Sequence, residues 1–496
     1  MRKYYIPLLS LLGVLMGSAQ DIDLTQQLYE SYGDFKEPAL NERRIKHADL
    51  QPLLAKFGTM DDFTVTKVGE SIGGRPLSLV SIGKGETDVF LWSQMHGDEP
   101  TATQAIFDIL NFLASDAQTQ EKKELLSKVK LHFLPMLNPD GAELFQRRNL
   151  LGVDINRDAL RLQSPESKTL KRVRDSLDAD YGFNLHDQST YYNAERTEKP
   201  ATISYLAPAF NYEKDVSEKR GDAMKIIVFM NNIIQKYAPG QVGRYNDAFE
   251  PRAFGDNIQK WGTSTILIES GGYPNDVEKQ EIRKLNYVSI LSAIYTIANE
   301  SFRDIPLQAY EEIPENDRKL FDLKIIGATY ALNGERYIID LGIQRLEVDY
   351  KDHDDFWYSS RVIDQGDLST YYGYETLVAD GHTIVPGKVY PKTMANMTEL
   401  GQLNIVEVLK NGFAYVRMEN IPTEKTSIET PLHLLGKSQQ QPEFMLEPGK
   451  NPTFFLEQGG QLRYAVINGF LLDLSMDATT LKTKFAAAKG NGMIYR

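Results

Sequence analysis

The chain has 496 residues, 42% of them hydrophobic and 25% charged, and a formal net charge of −13; that leaves room for about two to four globular domains. The acidic balance argues against nonspecific nucleic-acid binding, because neutralising phosphates needs a surplus of Lys and Arg. Cys is absent, which excludes disulfides, thiolate metal sites and Cys nucleophiles.

Arg2 and Lys3 precede a mostly apolar stretch, residues 4–17, and Gly17-Ser18-Ala19 supplies small residues at a cleavage point. Residues 1–19 therefore read as a signal peptide, and the protein as exported, periplasmic or secreted, with no stable membrane insertion after cleavage. Residues 21–52 are polar with helical stretches. An edge strand is expected at 64–69 and a second at 77–83, joined at Gly73-Gly74. The apolar run Val89-Phe90-Leu91-Trp92 predicts a buried strand, and 101–114 the helix after it. Residues 128–137 read as a strand stopped by Asn138-Pro139-Asp140-Gly141. A helix over 164–177, a short strand at 181–186, a long helix within 212–237, a buried strand at 264–268 and a closing helix over 276–299 follow. This alternation predicts an α/β fold whose mixed, partly parallel sheet carries helices on both faces.

After about residue 306 the texture changes to short alternating runs at 330–347, 373–389, 403–417 and 454–472, separated by Gly, Pro, Asn and Asp. They predict a smaller, mostly β domain. The division is thus 20–305 as catalytic domain and 306–496 as β-rich accessory domain. Asp349, Asp352, Asp354 and Asp355 surround His353 and read as a solvated loop. His47, His132, His382 and His433 have no companions at ligand spacing and read as structural.

The chemistry is carried by four short segments at predicted strand ends, where open α/β sheets place their ligands. His96 and Glu99 stand three residues apart in a strand-to-helix turn and can grip one ion. Zinc sites with an open position often use two His and one Glu, so a third ligand and a base are expected downstream. Arg147 and Arg148 then lead to Asn156-Arg157, His186-Asp187 ends the next strand, and Glu269-Ser270-Gly271-Gly272 ends the last. A carboxylate closing an apolar strand has little structural reason to be there.

Alone, His-x-x-Glu recurs in unrelated chains; the ordered set over residues 60–300 resembles the zinc metallocarboxypeptidases of the carboxypeptidase A-like family. The resemblance implies one Zn²⁺ per chain held by His96, Glu99 and His186, with Glu269 as general base. It implies that Arg147, or Arg148 beside it, faces the developing oxyanion. Asn156 and Arg157 would hold the free C-terminal carboxylate of a peptide substrate. The family's mobile tyrosine has an offset match only near Asp247, which leaves Tyr245 as its candidate. Residues 249–256 would line the pocket for the terminal side chain, Arg252 favouring an acidic residue and Phe254 an apolar one. Asp154 reads as a partner for a nearby donor. Two sister readings share this chemistry: a cell-wall peptidase acting on diaminopimelate and an N-acyl amino acid deacylase. A binding protein that retains the fold is the reading from another class, and the intact set of ligands and base argues against it.

Overall fold

A computed structural model describes residues 24–422 and 426–496; the signal-peptide reading of residues 1–19 lies outside them. The described chain divides into two compact units, with the break between Arg318 and Lys319.

The first unit is built on an eight-stranded mixed sheet. Its strands are β1 (Phe63–Glu70), β2 (Pro76–Gly83), β3 (Thr87–Ser93), β4 (Val129–Leu134), β5 (Tyr181–Asp187), β7 (Ile203–Leu206), β8 (Val242–Arg244) and β9 (Ser264–Ser270), while β6 (Asn193–Ala194) and β10 (Asn316–Asp317) form a separate small ladder. The order β1-β2-β4-β3-β5-β9-β7-β8 places β3, β5 and β9 side by side at the centre, all parallel. Such strands are covered on both faces, which is why they read as continuous apolar runs.

Side chains of β3 alternate between two cores. Val89 and Leu91 pack with helices Thr101–Ala114, Glu218–Tyr237 and Gln280–Asn299. Phe90 and Trp92 pack with helices Pro165–Leu177 and Phe254–Lys260. Helices therefore cover both faces, and complete burial of a side chain as large as Trp92 is worth about 2–3 kcal/mol. Helix Pro165–Leu177 starts where Ser164 Oγ accepts from the Ser167 amide, the expected cap. Strand β4 stops at Leu134, short of the expected 137, because Met136 turns the chain at φ 51°.

The second unit contains an eight-stranded and a five-stranded sheet and short helices at Met397–Gly401, Ile405–Lys410 and Ala478–Ala487. The expected runs hold more than one element each: 373–389 takes in strands Tyr372–Val378, Thr383–Pro386 and Lys388–Val389, and 454–472 takes in Phe454–Gln458, Gln461–Ile467 and the start of Phe470–Asp473. The run 330–347 is not one strand but parts of two, Leu320–Leu332 and Glu335–Asp349, folded back at Asn333-Gly334. Both turn residues have positive φ, as the mirror-image hairpin turn that favours Asn-Gly demands. The run 403–417 begins as helix Ile405–Lys410, capped by Asn404, before strand Phe413–Met418.

Candidate active site

The turn after β3 is shaped by its backbone. Gln94 adopts φ 51°, and its side-chain amide donates to Gly97 O at 2.9 Å. A Cβ on Gly97 would lie 2.0 Å from the Gly141 backbone, so only glycine allows these two loops to touch. The turn brings His96 and Glu99 beneath the carboxyl ends of β3 and β5. His186 is the penultimate residue of β5, in register with Glu269 on β9.

His96, Glu99 and His186, all buried, offer ligand atoms that lie within 4.8 Å of one another; among the described residues they form the one such group. Glu99 sits between the imidazoles, Oε1 at 2.8 Å from His96 Nδ1 and Oε2 at 2.7 Å from His186 Nδ1. His96 Nε2 is 3.1 Å from Asp154 Oδ1. Nε2 thus faces Asp154, while Nδ1 faces Glu99 and the Arg147 guanidinium, whose Nη1 is 3.1 Å away. His186 Nε2 is buried with no hydrogen-bond partner. Two imidazoles and one carboxylate, with a carboxylate behind one imidazole, fit a divalent ion of borderline softness.

The electrostatics follow from this crowding. Burial works against charge on His96, yet the Glu99 and Asp154 carboxylates lift it to about 9. Burial pushes His186 the other way, below the ordinary histidine value. Burial also opposes ionisation of Glu99, but the two imidazoles hold it well below the carboxylate range. Glu269, a partly exposed carboxylate, is raised well above that range by desolvation and then by the charge of Glu99. A perturbed acid facing a polar cluster in a cleft marks a candidate catalytic group.

Arg147 belongs to the cluster. Its Nε donates to Asp154 Oδ2 at 3.0 Å, and its Nη1 lies 3.1 Å from His96 Nδ1 and 3.4 Å from Glu99 Oε1. Arg148 turns away and donates to Gly152 O at 2.9 Å. It lines a cavity of about 470 Å³ with Asp154, Arg157, Asp158 and Arg252. Asn156 Oδ1 accepts from the Phe254 amide at 2.9 Å, and Arg157 Nε is 3.5 Å from Glu250. Glu250 also pairs with Arg252. Both Asp158 oxygens accept backbone amides, so the cavity is lined by three guanidinium groups, of Arg148, Arg157 and Arg252, beside the Asp154 and Asp158 carboxylates.

Phe254 does not line it: the side chain is fully buried, edge-on to Trp261. The Tyr245 ring stands edge-on to Tyr192, and burial and the nearby Glu269 charge raise its hydroxyl far above the ordinary value. Asp247, at the offset where a tyrosine was expected, instead pairs with Lys214 and Arg220. His353 Nδ1 lies 3.0 Å from Asp349 Oδ2. Sequence reasoning gave Asp154 no specific partners, since neither His96 nor Arg147 is its neighbour along the chain.

Residues 54–201 match a family model described as zinc carboxypeptidase. Carboxypeptidase E of Caenorhabditis elegans is 33% identical over a stretch covering 21% of this chain and 28% of its own length. Carboxypeptidase SOL1 of Arabidopsis thaliana is 29% identical over 22% of this chain and 28% of its own. The chain thus spans under a third of the length of these relatives. A metallo-carboxypeptidase structure from Burkholderia cenocepacia aligns at 19% identity and a TM-score of 0.41, covering 51% of this chain and 69% of that one. The matched segment, residues 54–201, carries His96, Glu99, Arg147, Arg157 and His186.

Proposed function

We propose that the protein is an exported zinc-dependent carboxypeptidase that releases C-terminal residues from peptides. The observation that carries the proposal is the closing of His96, Glu99 and His186 on one point, with Glu269 in register beside His186. No helix among the described residues is long and apolar enough to cross a membrane; export itself rests on the reading of residues 1–19.

His96, Glu99 and His186 would hold the zinc ion, which when bound acts as a Lewis acid and brings the pKa of a water to about 7. Glu269 takes a proton from the attacking water and delivers it to the leaving nitrogen. Burial beside Glu99 makes its carboxylate basic enough for that exchange. Arg147, already directed at the cluster, stabilises the oxygen on which negative charge develops. Arg148, at the rim, and Asn156 and Arg157 receive the substrate's free carboxylate, and the guanidinium donors around the cavity favour an anionic chain end. Tyr245, whose hydroxyl feels the charge of Glu269, would contact the bound peptide. Desolvation of this pocket strengthens each of these contacts.

A digest of a peptide library by the zinc-loaded protein, read by mass spectrometry with and without a chelator, tests the proposal. The expected result is stepwise, chelator-sensitive loss of C-terminal residues. Internal cuts would refute the exopeptidase reading, and no release from any peptide would favour a binding protein. Release only from diaminopimelate-containing or N-acyl substrates would move the activity to one of the sister readings.

A further inference from the structure

Behind the proposed catalytic face lies a buried cation that the chemistry above does not use. Lys279 is 5% exposed, and its Nζ donates to Asp187 Oδ2 at 2.9 Å and to Ser270 O at 3.1 Å. Asp187 and Ser270 follow His186 and Glu269 directly and are themselves paired across β5 and β9. Successive side chains of a strand point to opposite faces. His186 and Glu269 therefore share one face, and Lys279 bridges the residues just behind both.

The same aspartate reaches the third element. Asp187 Oδ2 accepts from Thr101 Oγ1 at 2.6 Å, at the start of the helix that follows the His96–Glu99 turn. The Asp187 amide donates to Glu99 Oε2 at 3.2 Å. Ser270 is held once more from below, its hydroxyl accepting from Asn286 Nδ2 at 2.9 Å. One ammonium group thus ties together the three segments that carry the metal-ligand candidates and the base. A buried ion pair seldom adds net stability over a neutral pair of similar size, so stability alone does not account for its presence.

We infer that Lys279 is a positioning residue: through Asp187 and Ser270 O it sets the separation of Glu269 from the His96–Glu99–His186 cluster. The inference rests on the proposed metallopeptidase reading. Lysine suits the task because its three donors on a flexible stem can satisfy a carboxylate and a carbonyl together. Misplacing a reacting group by about 1 Å costs up to about a hundredfold in rate.

The test uses the full chain loaded with zinc or cobalt(II), in four forms: wild type, Lys279→Met, Lys279→Arg and the double variant Lys279→Met/Asp187→Asn. Lys279→Met is expected to lower kcat about ten- to hundredfold with KM changed less than about threefold, and to shift the visible absorption of the cobalt form. Lys279→Arg, which keeps the charge if Lys279→Met fails to fold, is expected to show the same kcat loss with a near-normal denaturation midpoint. The double variant removes both charges, so its midpoint is expected to recover while kcat does not. Recovery of kcat together with the midpoint would overturn the inference and leave the lysine as charge balance alone. So would a cobalt spectrum and kcat in Lys279→Arg and Lys279→Met identical to wild type. A wild type that binds cobalt but releases no amino acid would defeat the functional reading by itself, and the cobalt spectra of the variants would still decide the role of Lys279.

Discussion

His186 and Glu269 occupy paired positions on the parallel strands β5 and β9, which sets a ligand candidate and a base candidate at one level on one face of the sheet. Glu269 lies outside the group of three that closes on a common point. Glu269→Gln is therefore expected to cut turnover by about 10²–10⁴-fold while zinc content, measured by mass spectrometry of the native protein, stays at one ion per chain. Loss of metal along with activity would make Glu269 a structural group.

The carboxylate of Asp154 meets His96 Nε2 at 3.1 Å and Arg147 Nε at 3.0 Å. It fixes which imidazole nitrogen carries the proton, and so which one faces the ion. Asp154→Ala is expected to weaken zinc binding about 10–100-fold, read by competition with a chromogenic chelator at constant pH. An unchanged affinity would mean that packing alone orients the His96 ring.

In the metal-free protein His96 gains a proton at about 9, against an ordinary value of 6.5. Between these two values the folded state holds a proton that the unfolded chain has released. The contribution to stability is whole below pH 6.5 and disappears as the pH rises through about 9. Urea titrations in EDTA at pH 6, 7.5 and 9 are expected to give falling midpoints for the first unit, and zinc is expected to bind more tightly over the same rise because it displaces that proton. Midpoints that climb with pH would show that His96 is neutral in the apo protein.

The central strands and the ligand candidates were legible because their signals are local. Val89-Phe90-Leu91-Trp92 is apolar without interruption since both faces of β3 are covered, and His96 and Glu99 lie in the turn that follows. What escaped was non-local. Thr101, Asp187 and Lys279 meet only after the sheet has formed, and Lys279 looks like any surface lysine before helix Gln280–Asn299. Phe254 was read as pocket lining because residues 249–256 come just before the final strand; the fold turns it inward as the first residue of a short helix. The accessory unit was legible as strands but not as pairing, because the parallel contacts of Phe413–Met418, His433–Gly436 and Gly492–Tyr495 join distant segments.

One histidine read as bland has a consequence in that unit. His433 is fully buried; its Nδ1 accepts from the Met493 amide at 2.9 Å and its Nε2 donates to Thr453 Oγ1 at 2.8 Å. Both ring nitrogens are satisfied only in the neutral form, and burial lowers the pKa from 6.5 to about 3. The unfolded chain takes up a proton near 6.5 that the folded unit refuses, so stability is whole above that pH and declines as the pH falls toward 3. The decline is expected to reach a few kcal/mol, seen as faster hydrogen exchange in residues 433–436 and 492–495 at pH 4.5 than at pH 7 after correction for the intrinsic rate. In His433→Gln, where an amide can accept from Met493 and donate to Thr453 without titrating, the difference between the two pH values is expected to shrink. An equal difference in both proteins would assign the acid sensitivity to other groups of the unit.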